Sequence, residues 1–228
     1  SQNNAFLFAF NHDLSLDWSD VVGISDAGNV YPTGLKFGAN GTISLLGYNS
    51  RPTGTTYTIT NNAGSFTTND YSYTISYQSD GSELRHVTYP HRHVWGEVDA
   101  QDNLYVIGES RTTGEEKVYK YGSSGNLIWE IADVLDYSMI AFDGNILSCY
   151  GEFSGSFDFG GETFDAFYGD DIFLMNLSEF GVEQQAISIG NPGGSLSLNT
   201  LGTQMNNVVT AAGSLSGEGP VPASKMAP

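Results

Sequence analysis

"GSFDFGGETFDAFYGDDIFLMNLSEFG", Gly155 to Gly181, interleaves phenylalanine and glycine with the carboxylates of Asp158, Glu162, Asp165, Asp170, Asp171 and Glu179, and it holds no lysine or arginine. In an extended chain its second half puts Ile172, Leu174 and Asn176 on one face and Phe173, Met175 and Leu177 on the other. Apolar side chains on both faces call for a sheet that is covered on both sides. The Gly160–Gly161 pair supplies a turn. Phe157, Phe159, Phe164 and Phe167 are placed to fill space between packed sheets, with the carboxylates left to water. The stretch therefore reads as a connection running into a β-hairpin, and this reading sets the fold of the whole chain.

The same unit recurs. A short strand, a turn and a second strand ending in glycine appear as "LKFGANGTISLLGY" (35–48), "VDAQDNLYVIGE" (98–109) and "MIAFDGNILSCYGEF" (139–153), with a degenerate copy at 196–215. These are the inner hairpins. They alternate with outer hairpins at 5–18, 71–86, 117–130 and 171–185. Asp, Asn and Gly at the turns tolerate positive φ, and β-branched and aromatic residues fill the strands. No window sustains a 3.6-residue apolar period, so essentially no helix is expected; 134–142 is the nearest rival. Two hairpins make a four-stranded sheet that must stack on similar neighbours, and radial stacking gives a β-propeller. The expectation is all-β, with repeats near 5–48, 71–109, 117–153 and 171–215 inside one domain, 1–215. About four blades result if the inner hairpin at 196–215 completes the outer hairpin at 5–18, so that one blade is shared between the chain's two ends. The competing expectation is a piece of a larger ring. Residues 216–228 carry Pro and Gly without periodicity and read as a flexible tail.

The 228 residues suffice for a sizeable core, and 28 glycines suit many tight turns. Eight basic against 26 acidic residues give a net charge of -18, a field that repels nucleic acid and anionic membrane surfaces. No apolar run is long enough to insert in a bilayer as a helix. Cys149 is the only cysteine, so no internal disulfide forms, and its apolar strand context makes it a small core residue.

"FGG" followed by "GDDIFLMNLSEFG", "SSGNLIWE" and "VDAQDNLYVIGE" resembles the bacterial β-propeller repeat called SBBP. The likeness spans about 5–215 but is degenerate: Trp18 and Trp129 keep the family's tryptophan, while the second and fourth outer hairpins lack it. The resemblance implies a secreted or cell-surface bacterial protein, a binding or adhesion module or a segment of a larger adhesin-like chain. It implies architecture and no particular activity.

Individual residues add little chemistry. His91 and His93 in "YPHRHVWG" are two apart, a metal-site spacing, and His86 is a third nitrogen only if the turn at Pro90 folds it back. Asp99, Asp102 and Asn103 group oxygens as calcium requires, at positions a hairpin turn also favours; Asp165, Asp170 and Asp171 are a similar group. No nucleophile elbow, phosphate loop or metalloprotease helix is present, and the Asp-box of propeller sialidases is matched only at its turn. The expected function is thus a non-catalytic extracellular binding or adhesion module, without a cofactor unless calcium binds, whose partner is an extracellular protein or glycan. It is a monomer if the ring closes and otherwise pairs strands with another chain. A structural segment of a surface assembly and a glycan-processing enzyme are the alternatives.

Overall fold

The computed structural model describes residues 3–25, 28–38, 41–50, 55–131, 136–190, 195–204, 208–216 and 223–227, with the side chains of 167–170 and of residues beyond 190 left out. Among these residues there is no helix. Seventeen strands form four antiparallel sheets of four or five strands, and two more form a separate pair.

Sheet 1 contains β1 (Ala5–Phe10), β2 (Leu16–Ile24), β5 (Tyr57–Asn61) and β6 (Gly64–Thr68), in that spatial order. Sheet 2 contains β3 (Val30–Phe37), β4 (Ile43–Asn49), β7 (Ser72–Tyr77) and β8 (Glu83–Tyr89). Sheet 3 orders β9 (Arg92–Val98), β10 (Leu104–Glu109), β11 (Glu116–Tyr121) and β12 (Leu127–Ile131). Sheet 4 runs β13 (Asp136–Phe142), β14 (Ile146–Phe159), β15 (Glu162–Ser178), β16 (Glu183–Ile189) and then β19 (Ala223–Ala227). β17 (Ser195–Gln204) and β18 (Val208–Ser216) pair only with each other.

Sheets 2, 3 and 4 each join an inner hairpin to the outer hairpin that follows it. The rival helix at 134–142 is strand β13. Where the sequence suggested a flexible tail, β19 pairs antiparallel with β16. Among the described residues β1 neighbours β2 and β18 neighbours β17.

The chain divides into two compact units. One is Ser1–Leu104 with Gly108–Gly114 and Tyr121–Asn126; the other is Tyr105–Ile107 and Glu115–Lys120 with Leu127–Pro228. In the first unit Ala5, Leu7, Val22 and Ile24 of sheet 1 share a core with Leu45, Tyr73, Ile75 and Tyr77 of sheet 2. Apolar burial on that scale is what holds sheet against sheet. In the second unit Phe153, Phe157, Phe159, Phe164 and Phe173 are buried. Phe157 lies parallel to Phe164 at 5.0 Å and edge-on to Phe153 at 4.7 Å. The opening stretch is therefore not a loop. It is the continuation of β14 and β15, paired from Ile146–Ser178 out to Phe159–Glu162. Asp158, Glu162 and Asp165 are exposed as expected, but Asp171 is buried. Phe167 and Asp170 lie outside the described side chains.

The tryptophans hold equivalent places. Trp18 donates its indole N–H to Ser79 O (3.0 Å) and Trp129 to Glu179 O (3.1 Å), each in the turn of the next outer hairpin. Each ring lies against the positive-φ glycine of that turn, Gly81 and Gly181. A Cβ there would strike the ring, so glycine is required both by the backbone and by the contact.

Candidate functional site

Between the β5–β6 hairpin and β8 lies a cleft of about 180 Å³, lined by Asn61, Ala63, Gly64, Ser65, Phe66, Glu83 and His86. Its polar groups are wired in series. Asn61 Oδ1 accepts the N–H groups of Ala63 (3.1 Å) and Gly64 (3.0 Å), which fixes the amide in the turn. Asn61 Nδ2 then donates to Glu83 Oε2. The other carboxylate oxygen, Oε1, lies 2.8 Å from His86 Nδ1. The imidazole stacks flat on Phe66, 3.8 Å between centroids and 6° between planes.

A β-bulge makes this possible. Tyr77 pairs with Glu83 but Ser76 with Arg85, leaving Leu84 as an extra residue in β8. Alternation along a regular strand would put Glu83 and His86, three apart, on opposite faces; the bulge returns them to one. Bulges stand at the same place in two other outer hairpins, at Asp17 and at Gln184. With Glu83 at Nδ1, the neutral ring carries its proton there and presents Nε2 as an acceptor. His86 is exposed enough for a ligand to reach that edge.

The set does not form a hydrolytic triad. Ser65 and Phe66 are adjacent in β6, so their side chains leave on opposite faces, and His86 is committed to the Phe66 face. What the cleft offers is an oriented imidazole, an aromatic edge and backbone groups of a tight turn.

The residues singled out from sequence are dispersed. His93 is fully buried, its ring tilted 46° against Tyr89 with centroids 4.6 Å apart, and neither ring nitrogen has a hydrogen-bond partner in the structure. Burial, and secondarily the neighbouring His91, lowers its pKa to about 3. His91 is half-buried in the bend before β9, and His86 belongs to the cleft instead. Asp99 spends Oδ1 on the N–H groups of Gln101 (2.9 Å) and Asn103 (2.8 Å) and Oδ2 on the Asn103 amide (2.8 Å). Asp102, at positive φ, faces Arg85 at 3.7 Å. This loop is a self-satisfied turn. Among the described residues no three His, Cys, Asp or Glu side chains are grouped to hold a metal ion.

The sequence reading missed Asp20, a buried carboxylate at the meeting of sheets 1 and 2. Its Oδ1 accepts the N–H groups of Val21 (2.7 Å) and Asn62 (2.8 Å), and Oδ2 accepts the Tyr77 hydroxyl (2.7 Å). Every one of these bonds is internal, so Asp20 positions the β5–β6 hairpin and with it the cleft. No family model matches the sequence, and no curated protein matches it significantly.

Proposed function

We propose that the protein is a non-catalytic binding module of propeller type, working outside the cell or on its surface, with the Asn61–Glu83–His86 cleft as its ligand site. The four-stranded sheets are its blades. The observation that carries this reading is the wired series from the turn through Asn61 and Glu83 to His86, which fixes an exposed acceptor beside an aromatic ring without supplying a nucleophile. A small hydroxylated group, such as one sugar unit of a glycan, suits a cleft of this size and polarity. The net charge of -18 favours a neutral or cationic ligand over an anionic one. The SBBP resemblance supports the surface location and the binding role.

The test is a glycan array followed by titration calorimetry with the strongest hits. Binding that is lost in His86→Ala and weakened in Glu83→Gln, with the urea midpoint kept, is the expected outcome. Undiminished binding by His86→Ala removes the cleft from the proposal. Turnover of any glycan in a hydrolysis screen removes the non-catalytic reading.

A further inference from the structure

Basic side chains are scarce in this chain, 8 against 26 acidic ones, and most of those described have an oxygen partner. Lys36 meets Glu97 at 2.7 Å, Arg85 meets Asp102 at 3.7 Å, Arg92 meets Glu109 at 2.8 Å and Lys117 meets Glu130 at 2.9 Å. Lys120 donates to Glu179 O at 2.9 Å. Arg111 differs. Among the described residues it makes no ion pair and no hydrogen bond, and its guanidinium carbon lies 3.7 Å from the centre of the Tyr71 ring. Stacking occupies a face of the guanidinium and not its edge, so the planar fork of N–H groups stays open.

The surroundings hold this side chain in place. Ser110 O accepts the Gly114 N–H (2.8 Å) and Ser110 Oγ the Thr113 N–H (3.3 Å), so Arg111 stands on a closed turn from Ser110 to Gly114. Beneath it, Tyr71 meets Tyr48 edge-on at 5.9 Å. Tyr48 in turn stacks with Tyr31 at 5.0 Å and carries the Arg92 guanidinium at 4.7 Å. Tyr31 lies at the start of β3, Tyr48 at the end of β4 and Tyr71 just before β7, so the three rings share one end of sheet 2. All of these residues belong to the first compact unit, and Arg111 is half-buried among them.

We propose that Arg111 is a recognition point for the carboxylate of a uronic acid, at a place distinct from the His86 cleft. A carboxylate is planar and takes the guanidinium fork through two parallel hydrogen bonds. The net charge of -18 tells against every added negative charge, so a single carboxylate is tolerated where a doubly charged phosphate is repelled twice over. A sugar is favoured by what stands beside the fork. Tyrosine rings and hydroxyls match the C–H faces and hydroxyls of a sugar ring. Hydroxyls also continue from Tyr71 toward the cleft: Asp70 N–H donates to Thr68 Oγ1 (3.0 Å), and Thr68 Oγ1 to Thr88 Oγ1 (3.2 Å).

The Arg111 Nε–H signal in a proton–nitrogen NMR spectrum reports on the site directly, titrated in turn with glucuronate, glucose, acetate and inorganic phosphate. Glucuronate should move it along a saturable curve, with affinity on the order of tenfold above that of the other three. Arg111→Met, which keeps the packing on Tyr71 without the N–H groups, should abolish the glucuronate shifts at Tyr71 and leave the urea midpoint in place. Arg111→Lys keeps the charge but not the fork and should weaken them. His86→Ala should leave glucuronate binding unchanged. A signal that glucuronate does not move overturns the proposal. An equal response to acetate overturns the sugar, and tighter binding of phosphate overturns the single charge. Glucuronate binding lost in His86→Ala and kept in Arg111→Met overturns the location and assigns the ligand to the cleft.

Discussion

Two excursions leave inner hairpins on the way to outer ones, and they go to different places. After β4 the chain forms the β5–β6 hairpin, which joins sheet 1 through only two rungs, Gly23–Thr60 and Ile24–Ile59. After β14 it prolongs its own strands, and the excursion stays in sheet 4 along a ladder with one register shift, between Ser154 and Ser156. Yet both tips reach the equivalent glutamate. Asn61 donates to Glu83, and the Gly160 N–H donates to Glu183 Oε2 (2.7 Å). Three residues on, past the shared bulge, the first copy has His86 and the second Ala186. One scaffold position is thus built twice, and only the first carries an imidazole.

The first excursion depends on Asp20, because two rungs cannot hold a hairpin alone. Asp20→Ala would leave Asn62 N–H and the Tyr77 hydroxyl without their acceptor, a loss of about 3–5 kcal/mol. Urea unfolding should show that loss, and hydrogen exchange should rise at Thr58–Asn61 while β14 and β15 keep their protection. Equal loosening of both excursions would mean that Asp20 supports the whole core and not the hairpin.

Much of this architecture is legible in the sequence, for definite reasons. Turn residues and two-faced strands reveal the hairpins, and the tryptophans reveal the repeat, because each feature is local. The partner of an excursion is not local. It rests on a buried aspartate 42 residues from the amide it holds. The cleft was hidden for another reason: an Asx-type wiring through Asn61 and a one-residue bulge at Leu84 leave no composition signal, and strand alternation points away from pairing Glu83 with His86. A bulge repeated at Asp17, Leu84 and Gln184 is visible only once the registers are known.

The tryptophans test what the two regions have in common. Trp18 and Trp129 are both half-buried and make the same indole hydrogen bond, one beside the first region and one beside the second. Truncating a fully buried tryptophan costs about 3–5 kcal/mol, so either alanine variant should lose about 2–3 kcal/mol. Thermal or urea unfolding of the pair is the measurement. A difference above about 1 kcal/mol between them would break the equivalence of the repeats.

Acid separates the regions again, since all four histidines precede Val94 and none lies in the second excursion. His93 sits at the foot of the first, its backbone N–H donating to Ser72 Oγ at 2.8 Å. With a folded pKa near 3 against 6.5, it is neutral in the folded state and takes up a proton on unfolding. Stability from this group is therefore complete above pH 6.5 and declines as pH falls toward 3, by about 2 kcal/mol at pH 5. His93→Phe should flatten that limb of a stability profile. An unchanged acid limb would place the titration elsewhere.

The smallest effect concerns the tip of the second excursion. Gly160 and Gly161 have φ of +60° and +79°, the sign pattern of the two-residue turn in which Asn-Gly is favoured. No atom lies within 4 Å of a Cβ added at Gly160, so a side chain there meets open space. Asparagine tolerates the left-handed region better than other non-glycine residues and has fewer unfolded conformations than glycine. It also keeps the N–H that Glu183 accepts. Gly160→Asn should consequently stabilise by about 0.5 kcal/mol, read as a small rise in the urea midpoint with an unchanged slope. Gly160→Val, β-branched at positive φ, should destabilise instead. If the two variants moved stability in the same direction, turn conformation would not be what governs this tip. The hairpin would then owe its place to the buried Phe157–Phe164 stack alone.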